Sequence, residues 1–212
     1  MTVSIASTDV LVVVDVQNDF LPGGSLAVPD GDAVIGPIND LIERFRHVVL
    51  TQDWHPPGHA SFASSHRGKQ PFDTVELAYG TQVLWPDHCV QGTPGAEIAA
   101  ALRADKAELV IRKGFNPGVD SYSGFQEADR ATRTGLAGYL RERGFTRAFC
   151  AGLATDYCVA WTALDARAAG FETFVVEDAS RGIDNGGSLA RAPDELDAAG
   201  VRRIGSWEIT SL

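Results

Sequence analysis

The chain has 212 residues, 44% of them hydrophobic, enough to bury a substantial core, and it reads as one domain over residues 1–212. A formal charge of −10 repels phosphate backbones and anionic lipid heads, so no nucleic acid and no membrane surface is expected as a partner. Cys89, Cys150 and Cys158 are widely spaced with no CxxC pair, and MTVSIASTDV lacks a basic region before a long apolar run; a cytoplasmic protein without signal peptide or membrane span is expected.

The first element is Val10 to Val14 (VLVVV), a continuous apolar run of the kind found in strands buried on both faces of a parallel sheet. Val34, Ile38, Leu41, Ile42 and Phe45 then recur at helical spacing, with Pro37 near the helix start, before a second strand over His47 to Leu50. Thr93-Pro94 resembles an N-cap and first helical position, predicting a helix over PGAEIAAAL, and Leu109 to Ile111 forms a third strand. A helix over GLAGYLRERG closes at Gly144, a fourth strand covers Arg147 to Ala151, and TDYCVAWTALDARAAG predicts a helix ending at Gly170. Phe171 to Val176 and a piece near Arg203 to Ile209 complete about six strands, with boundaries uncertain by about 2 to 4 residues. Strand alternating with helix predicts an α/β fold: a six-stranded, mostly parallel sheet with helices on both faces.

Such sheets bind ligands beyond the carboxyl ends of their strands. There the sequence places Asp15 after the first strand, Asp53 and His55 after the second, Lys113 after the third and Cys158 after the fourth. Each alone has a structural explanation; together they converge on one rim. In GLATDYCVAW, Thr155 or Asp156 can cap the helix, leaving Cys158 near its first turn, where unpaired N–H groups favour thiolate. Cys150, inside a strand, reads as a buried hydrophobe, and so does Cys89. No histidine is placed to deprotonate Cys158, but Asp15 is, with Lys113 orienting it and stabilising negative charge.

The stretch TQDWHPPGHASF poses a separate question. Asp53 and His55 are two residues apart and share a face in extended chain, so they can converge on one metal ion. His59 follows Pro56, Pro57 and Gly58, which can turn it to the ion or away, and spacing does not decide between these.

VVVDVQNDF, PGGSLAV, TQDWHPPGHASF, LWPDHCVQGTPGAE, IRKGFNPGVDSYSGF and AGLATDYCVAWTALDA, in this order over residues 10 to 185, resemble the nicotinamidases or pyrazinamidases of the isochorismatase-like cysteine hydrolase superfamily. The resemblance implies the isochorismatase-like hydrolase fold and hydrolysis of nicotinamide to nicotinate and ammonia, a step of NAD salvage. It implies Asp15, Lys113 and Cys158 as catalytic residues, a cis Leu153-Ala154 peptide, and an oxyanion hole from the N–H groups of Ala154 and Cys158. It further implies Phe20, Trp85 and Tyr122 around the pyridine ring, and Asp53, His55 and His88 as ligands of one divalent metal ion: Zn, Fe, Mn or Co. His59 joins the metal only in some relatives, and Tyr157 stands where some carry histidine. A homo-oligomer is compatible with the resemblance.

The sequence keeps rival readings in view. Sister hydrolases of other small amides generally lack the metal set, and a non-catalytic metal-binding member would not need Asp15, Lys113 and Cys158 together. DVQNDF follows the first strand where a dinucleotide-binding protein needs GxGxxG, and the HxE with PCxxC pattern of zinc deaminases is absent.

Overall fold

The apolar run at residues 10 to 14 becomes an inner strand because its side chains find cover on both sides. In a computed structural model describing residues 2–211, the elements are β1 (Val3–Ser4), β2 (Asp9–Val14), α1 (Ile35–Arg44), β3 (Val48–Asp53), β4 (Thr74–Leu77), β5 (Gly80–Val83) and β6 (Leu109–Lys113). They continue with α2 (Leu136–Glu142), β7 (Arg147–Leu153), α3 (Ala160–Ala168), β8 (Glu172–Arg181), α4 (Ser188–Ala198), β9 (Arg202–Ile204) and β10 (Ile209–Thr210). Six strands form a wholly parallel sheet in the order β6-β3-β2-β7-β8-β9.

Alternation along β2 builds two cores. Leu11 and Val13 face one side with Ile38, Leu41 and Ile42 of α1. Val10, Val12 and Val14 face the other with Leu136 and Leu140 of α2, Ala163 and Ala166 of α3, and Leu196 of α4. Each fully buried valine or leucine contributes about 1.5 to 3 kcal/mol relative to exposure, so this strand is held from both faces. Among the described residues no helix is long and apolar enough to cross a membrane.

The chain runs from β2 outward through β3 to β6, then returns to β7 on the other flank of β2. That reversal opens a crevice at the carboxyl ends of β2 and β7, the usual ligand position in a doubly wound sheet. Gly152 lets the two strands approach there. Its φ is +133°, and an added Cβ would lie 2.1 Å from the Val14 carbonyl oxygen. Pairing with β8 also shifts register between Cys150 and Gly152.

Five features differ from the sequence reading. PGAEIAAAL forms only a 3-10 turn, Pro94–Ala96. Its backbone pairs instead with the loop after β2: Asn18 N–H donates to the Glu97 carbonyl at 3.0 Å, and Ala99 N–H to the Val16 carbonyl at 2.9 Å. Tertiary pairing overrides helix propensity here. The last sheet strand is only Arg202–Ile204, because Ser206–Glu208 turns the chain before β10 pairs with β1. Neither Thr155 nor Asp156 caps its helix; Ala154 is the N-cap residue and the first turn is a π-turn, Thr155–Val159. The β4–β5 hairpin and α4 carried no signal that was read, the latter because Pro193 sits inside it.

Candidate active site

Lys113 is the hub of the crevice. Its position as the last residue of β6 buries it completely, and its ammonium meets Asp53 Oδ1 at 2.6 Å, Asp15 Oδ2 at 2.8 Å, the Ser121 carbonyl at 2.9 Å and Cys158 Sγ at 3.4 Å. Burial opposes its charge, but Asp15, Asp53 and Cys158 outweigh it and hold the pKa well above the usual lysine range. Asp15 takes a left-handed backbone conformation, φ +49°, directly after β2. Thr51 of β3 fixes it by donating to Oδ1 at 2.6 Å and accepting the Asp15 N–H at 3.2 Å. Asp15 Oδ2 has its ion-pair contact with Lys113 but no aligned hydrogen bond, so a buried acceptor is left for another proton. Burial raises the Asp15 pKa, and Lys113 offsets this only in part.

Cys158 lies beside Asp15. It is 7% exposed, and Sγ lies within 4.8 Å of one oxygen of Asp15 and one of Asp53. Burial, together with those carboxylates, raises its pKa well above the ordinary thiol value despite Lys113. The thiolate expected from the helix terminus is opposed here: desolvation and two anions work against the terminus effect and one cation and favour the thiol. Burial alone pushes Cys150 up to about 12, and Cys89 is also raised, mainly by burial. Both are inert core thiols. The Leu153-Ala154 peptide is cis, and Ala154 and Cys158 share one wall of the pocket.

Beside this cluster, Asp53, His55 and His88 bring one ligand atom each within 4.8 Å of one another, all three residues being buried. His55 Nδ1 donates to the Gly114 carbonyl at 2.9 Å and His88 Nδ1 to the Pro86 carbonyl at 2.8 Å. These bonds leave both Nε2 atoms facing Asp53 Oδ2, at 3.5 and 3.7 Å. Gly114 permits this packing, for an added Cβ would fall 2.4 Å from the His55 ring. Two imidazoles and a carboxylate with fixed outer nitrogens form a donor set suited to a divalent ion. His55, His59 and Asp120 form a second such group, but the His59 nitrogens are already engaged. Nε2 donates to the Asn116 carbonyl at 2.8 Å, and Nδ1 accepts from Ser61 N–H at 3.2 Å and lies 2.8 Å from Ser61 Oγ. Burial and the neighbouring His55 lower the His59 pKa, in keeping with a neutral ring.

The two clusters open onto one small pocket. Phe20, Trp85 and Tyr122 line it, together with Leu26, Val28, Tyr157 and Ile183. Trp85 Nε1 donates to Tyr122 Oη at 3.1 Å, and the Trp85 and Tyr157 rings meet edge-on at 4.9 Å. Of the residues singled out from the sequence, Phe20, Trp85, Tyr122, Asp53, His88 and Cys158 line this pocket, while Lys113 and His55 lie behind it against Asp53, and Asp15 lies against Lys113.

Supporting side chains went unread in the sequence. Gln17 grips the Asp53 backbone, accepting its N–H at 2.7 Å and donating to its carbonyl at 2.8 Å. Asp19 accepts the Cys89 N–H at 2.7 Å and so anchors the segment carrying His88. Both lie in DVQNDF, whose density of amides and acids after a strand was the available signal. Asp120 had none, yet it lines the pocket and accepts from Gln82 Nε2 at 2.8 Å.

Comparison with known proteins agrees with this geometry. Residues 9–202 match the isochorismatase domain family. The chain is 57% identical to the nicotinamidase of Acinetobacter baylyi over 96% of its own length and 95% of the relative's. It superposes with a TM-score of 0.88 on an L. infantum protein solved in complex with nicotinate, at 40% identity and 100% coverage of both chains. A pyrazinamidase of Pyrococcus horikoshii, solved in complex with zinc, matches with a TM-score of 0.76 at 39% identity, covering 93% of this chain and 99% of that one. By sequence and by fold, the chain belongs to the isochorismatase family, among its nicotinamidases.

Proposed function

We propose that the chain, as one hydrolase domain over residues 1–212, hydrolyses nicotinamide, and pyrazinamide as its close analogue, through a thioester on Cys158. The observation that carries this reading is the buried Asp15, Lys113 and Cys158 cluster opening on an aromatic pocket beside Asp53, His55 and His88. The nicotinamidase of A. baylyi and the nicotinate complex of the L. infantum protein support the substrate.

The sulfur starts as the thiol that burial favours, and its proton passes to Asp15 Oδ2 as Sγ attacks the carboxamide carbon. Lys113, 3.4 Å from Sγ, remains an ammonium and stabilises the charge that develops there. The Ala154 and Cys158 N–H groups receive the oxyanion. Collapse of the tetrahedral intermediate breaks the carbon–nitrogen bond as Asp15 returns the proton to the nitrogen, releasing ammonia and leaving the thioester. Asp15 then takes a proton from water, which attacks the thioester; nicotinate leaves and Cys158 regains its proton. Phe20, Trp85 and Tyr122 hold the ring so that attack is effectively unimolecular.

Asp53, His55 and His88 would hold one divalent ion, Zn, Fe, Mn or Co. When bound it supplies Lewis acidity toward the ring nitrogen and water, fixing the ring in the pocket. The zinc-containing relative of P. horikoshii supports such an ion without identifying it here. The three unpaired thiols support a cytoplasmic location. Ammonia release from nicotinamide tests the activity, and intact-mass analysis of stopped reactions tests the path. A nicotinoyl adduct on Cys158, with no turnover by Cys158→Ala, is expected; turnover surviving in Cys158→Ala overturns covalent catalysis.

A further inference from the structure

All residues lining the pocket are buried except Tyr122, Tyr157 and Ile183, so its mouth lies among these three. Tyr157 belongs to the turn that carries Cys158, whereas Ile183 belongs to the segment 182–188 that runs from the end of β8 into the first residue of α4. One buried carboxylate ties that turn to that segment. Asp156 Oδ1 accepts the Ile183 N–H at 3.0 Å, and Oδ2 accepts the Asp184 N–H at 3.0 Å and the hydroxyl of Ser188, the first residue of α4. A second tie runs parallel, from Asn185 Nδ2 to Tyr157 Oη at 3.2 Å, and Asn185 N–H donates to Ser188 Oγ at 2.9 Å.

The segment is shaped for this contact. At Gly182 an added Cβ would lie 2.4 Å from Leu189 and 3.0 Å from Asp156 Oδ1, so the backbone passes too close for a side chain. Asp184 and the Gly186-Gly187 pair all take positive φ, at 55°, 59° and 79°. A carboxylate accepting two backbone N–H groups and a hydroxyl makes charge-assisted bonds, stronger than those between neutral groups. None of these three bonds goes to Cys158 Sγ.

We propose that Asp156 is a positioning residue that holds segment 182–188 as a strap across the pocket mouth, with ring-sized ligands exchanging when its hydrogen bonds to the strap break. This rests on the proposed amide substrate, but its first test needs no turnover. Alkylation of Cys158 by iodoacetamide, located by peptide mass spectrometry, reports how often the mouth opens. Asp156→Ala is expected to speed alkylation at least tenfold, with Asp156→Asn and Ser188→Ala giving smaller accelerations because each keeps part of the contact set. For nicotinamide hydrolysis, Asp156→Ala should raise KM about tenfold while kcat stays within about threefold. Unchanged alkylation in both Asp156→Asn and Ser188→Ala overturns the proposal, as does a fall in kcat with KM unmoved, which would mean that Asp156 only supports the nucleophile turn. Should Asp156→Ala not fold, those two milder variants decide. A wild-type protein inactive on nicotinamide would overturn the proposed substrate, and the alkylation rates would still decide the strap.

Discussion

Replacing Lys113 by methionine removes the one cation from the cluster while keeping its length and most of its volume. At the 3.4 Å separation of Nζ and Cys158 Sγ, an effective dielectric of about 20 gives about 5 kcal/mol of attraction for a full thiolate charge. With about 1.36 kcal/mol for each factor of ten, Lys113→Met should lower kcat/KM by about three orders of magnitude or more. A second effect has the same sign, since the Asp15 pKa, already raised by burial, rises further without Lys113 and leaves less carboxylate to accept the thiol proton. Stability falls as well: losing one partner of a buried ion pair costs about 3 to 5 kcal/mol, less whatever protonation of Asp15 recovers. The assay is initial-rate ammonia release from nicotinamide, with circular dichroism and urea unfolding as checks on folding. The Asp15→Asn, Lys113→Met double variant should unfold at higher urea than Lys113→Met and show a loss far smaller than the product of the two single losses. A folded Lys113→Met protein keeping more than a tenth of wild-type kcat/KM would refute the electrostatic role, as would multiplicative losses in the double variant.

His88→Ala should lose bound metal and activity together, whereas His59→Ala, whose ring nitrogens bond Asn116 and Ser61, should keep most of its metal; elemental analysis of both variants decides, and the reverse pattern would place His59 in the ligand set. Cys150, with its pKa raised from 9.0 to about 12 by burial, stays neutral in the fold while the unfolded thiol ionises. Its contribution to stability is therefore intact below pH 9 and is lost as pH rises from there toward 12, at about 1.4 kcal/mol per pH unit. Urea midpoints between pH 8 and about 10.5 should fall more steeply for wild type than for Cys150→Ala, and parallel curves would contradict the burial argument. Gly152→Ala should lose about 2 kcal/mol or more, because its Cβ would meet the Val14 carbonyl at 2.1 Å and its φ is +133°. Retention of wild-type stability would show that β2 and β7 can separate at little cost.

Much of the layout was legible because period and punctuation are local properties. VLVVV can be satisfied only where both faces are covered, and alternating strands and helices force a parallel sheet, so Asp15, Asp53, Lys113 and Cys158 could be assigned to one rim before any contact was known. Family resemblance added His88, Phe20, Trp85 and Tyr122, for which spacing carried no signal. Only the tertiary structure decided that Glu97 to Ala99 would pair with the loop after β2 rather than continue a helix, since the partner lies some 80 residues away. It also bears on the state of Cys158: its position in the chain suggests a thiolate, but burial and the two carboxylates brought against it push its pKa up and favour the thiol. His59 was undetermined for the same reason, because Ser61, Asn116 and Val119, which claim its nitrogens, include partners that meet it only on folding. Sequence determines which groups exist and which strand ends present them; charge state, tautomer and ligand choice follow from desolvation and from neighbours that folding assembles.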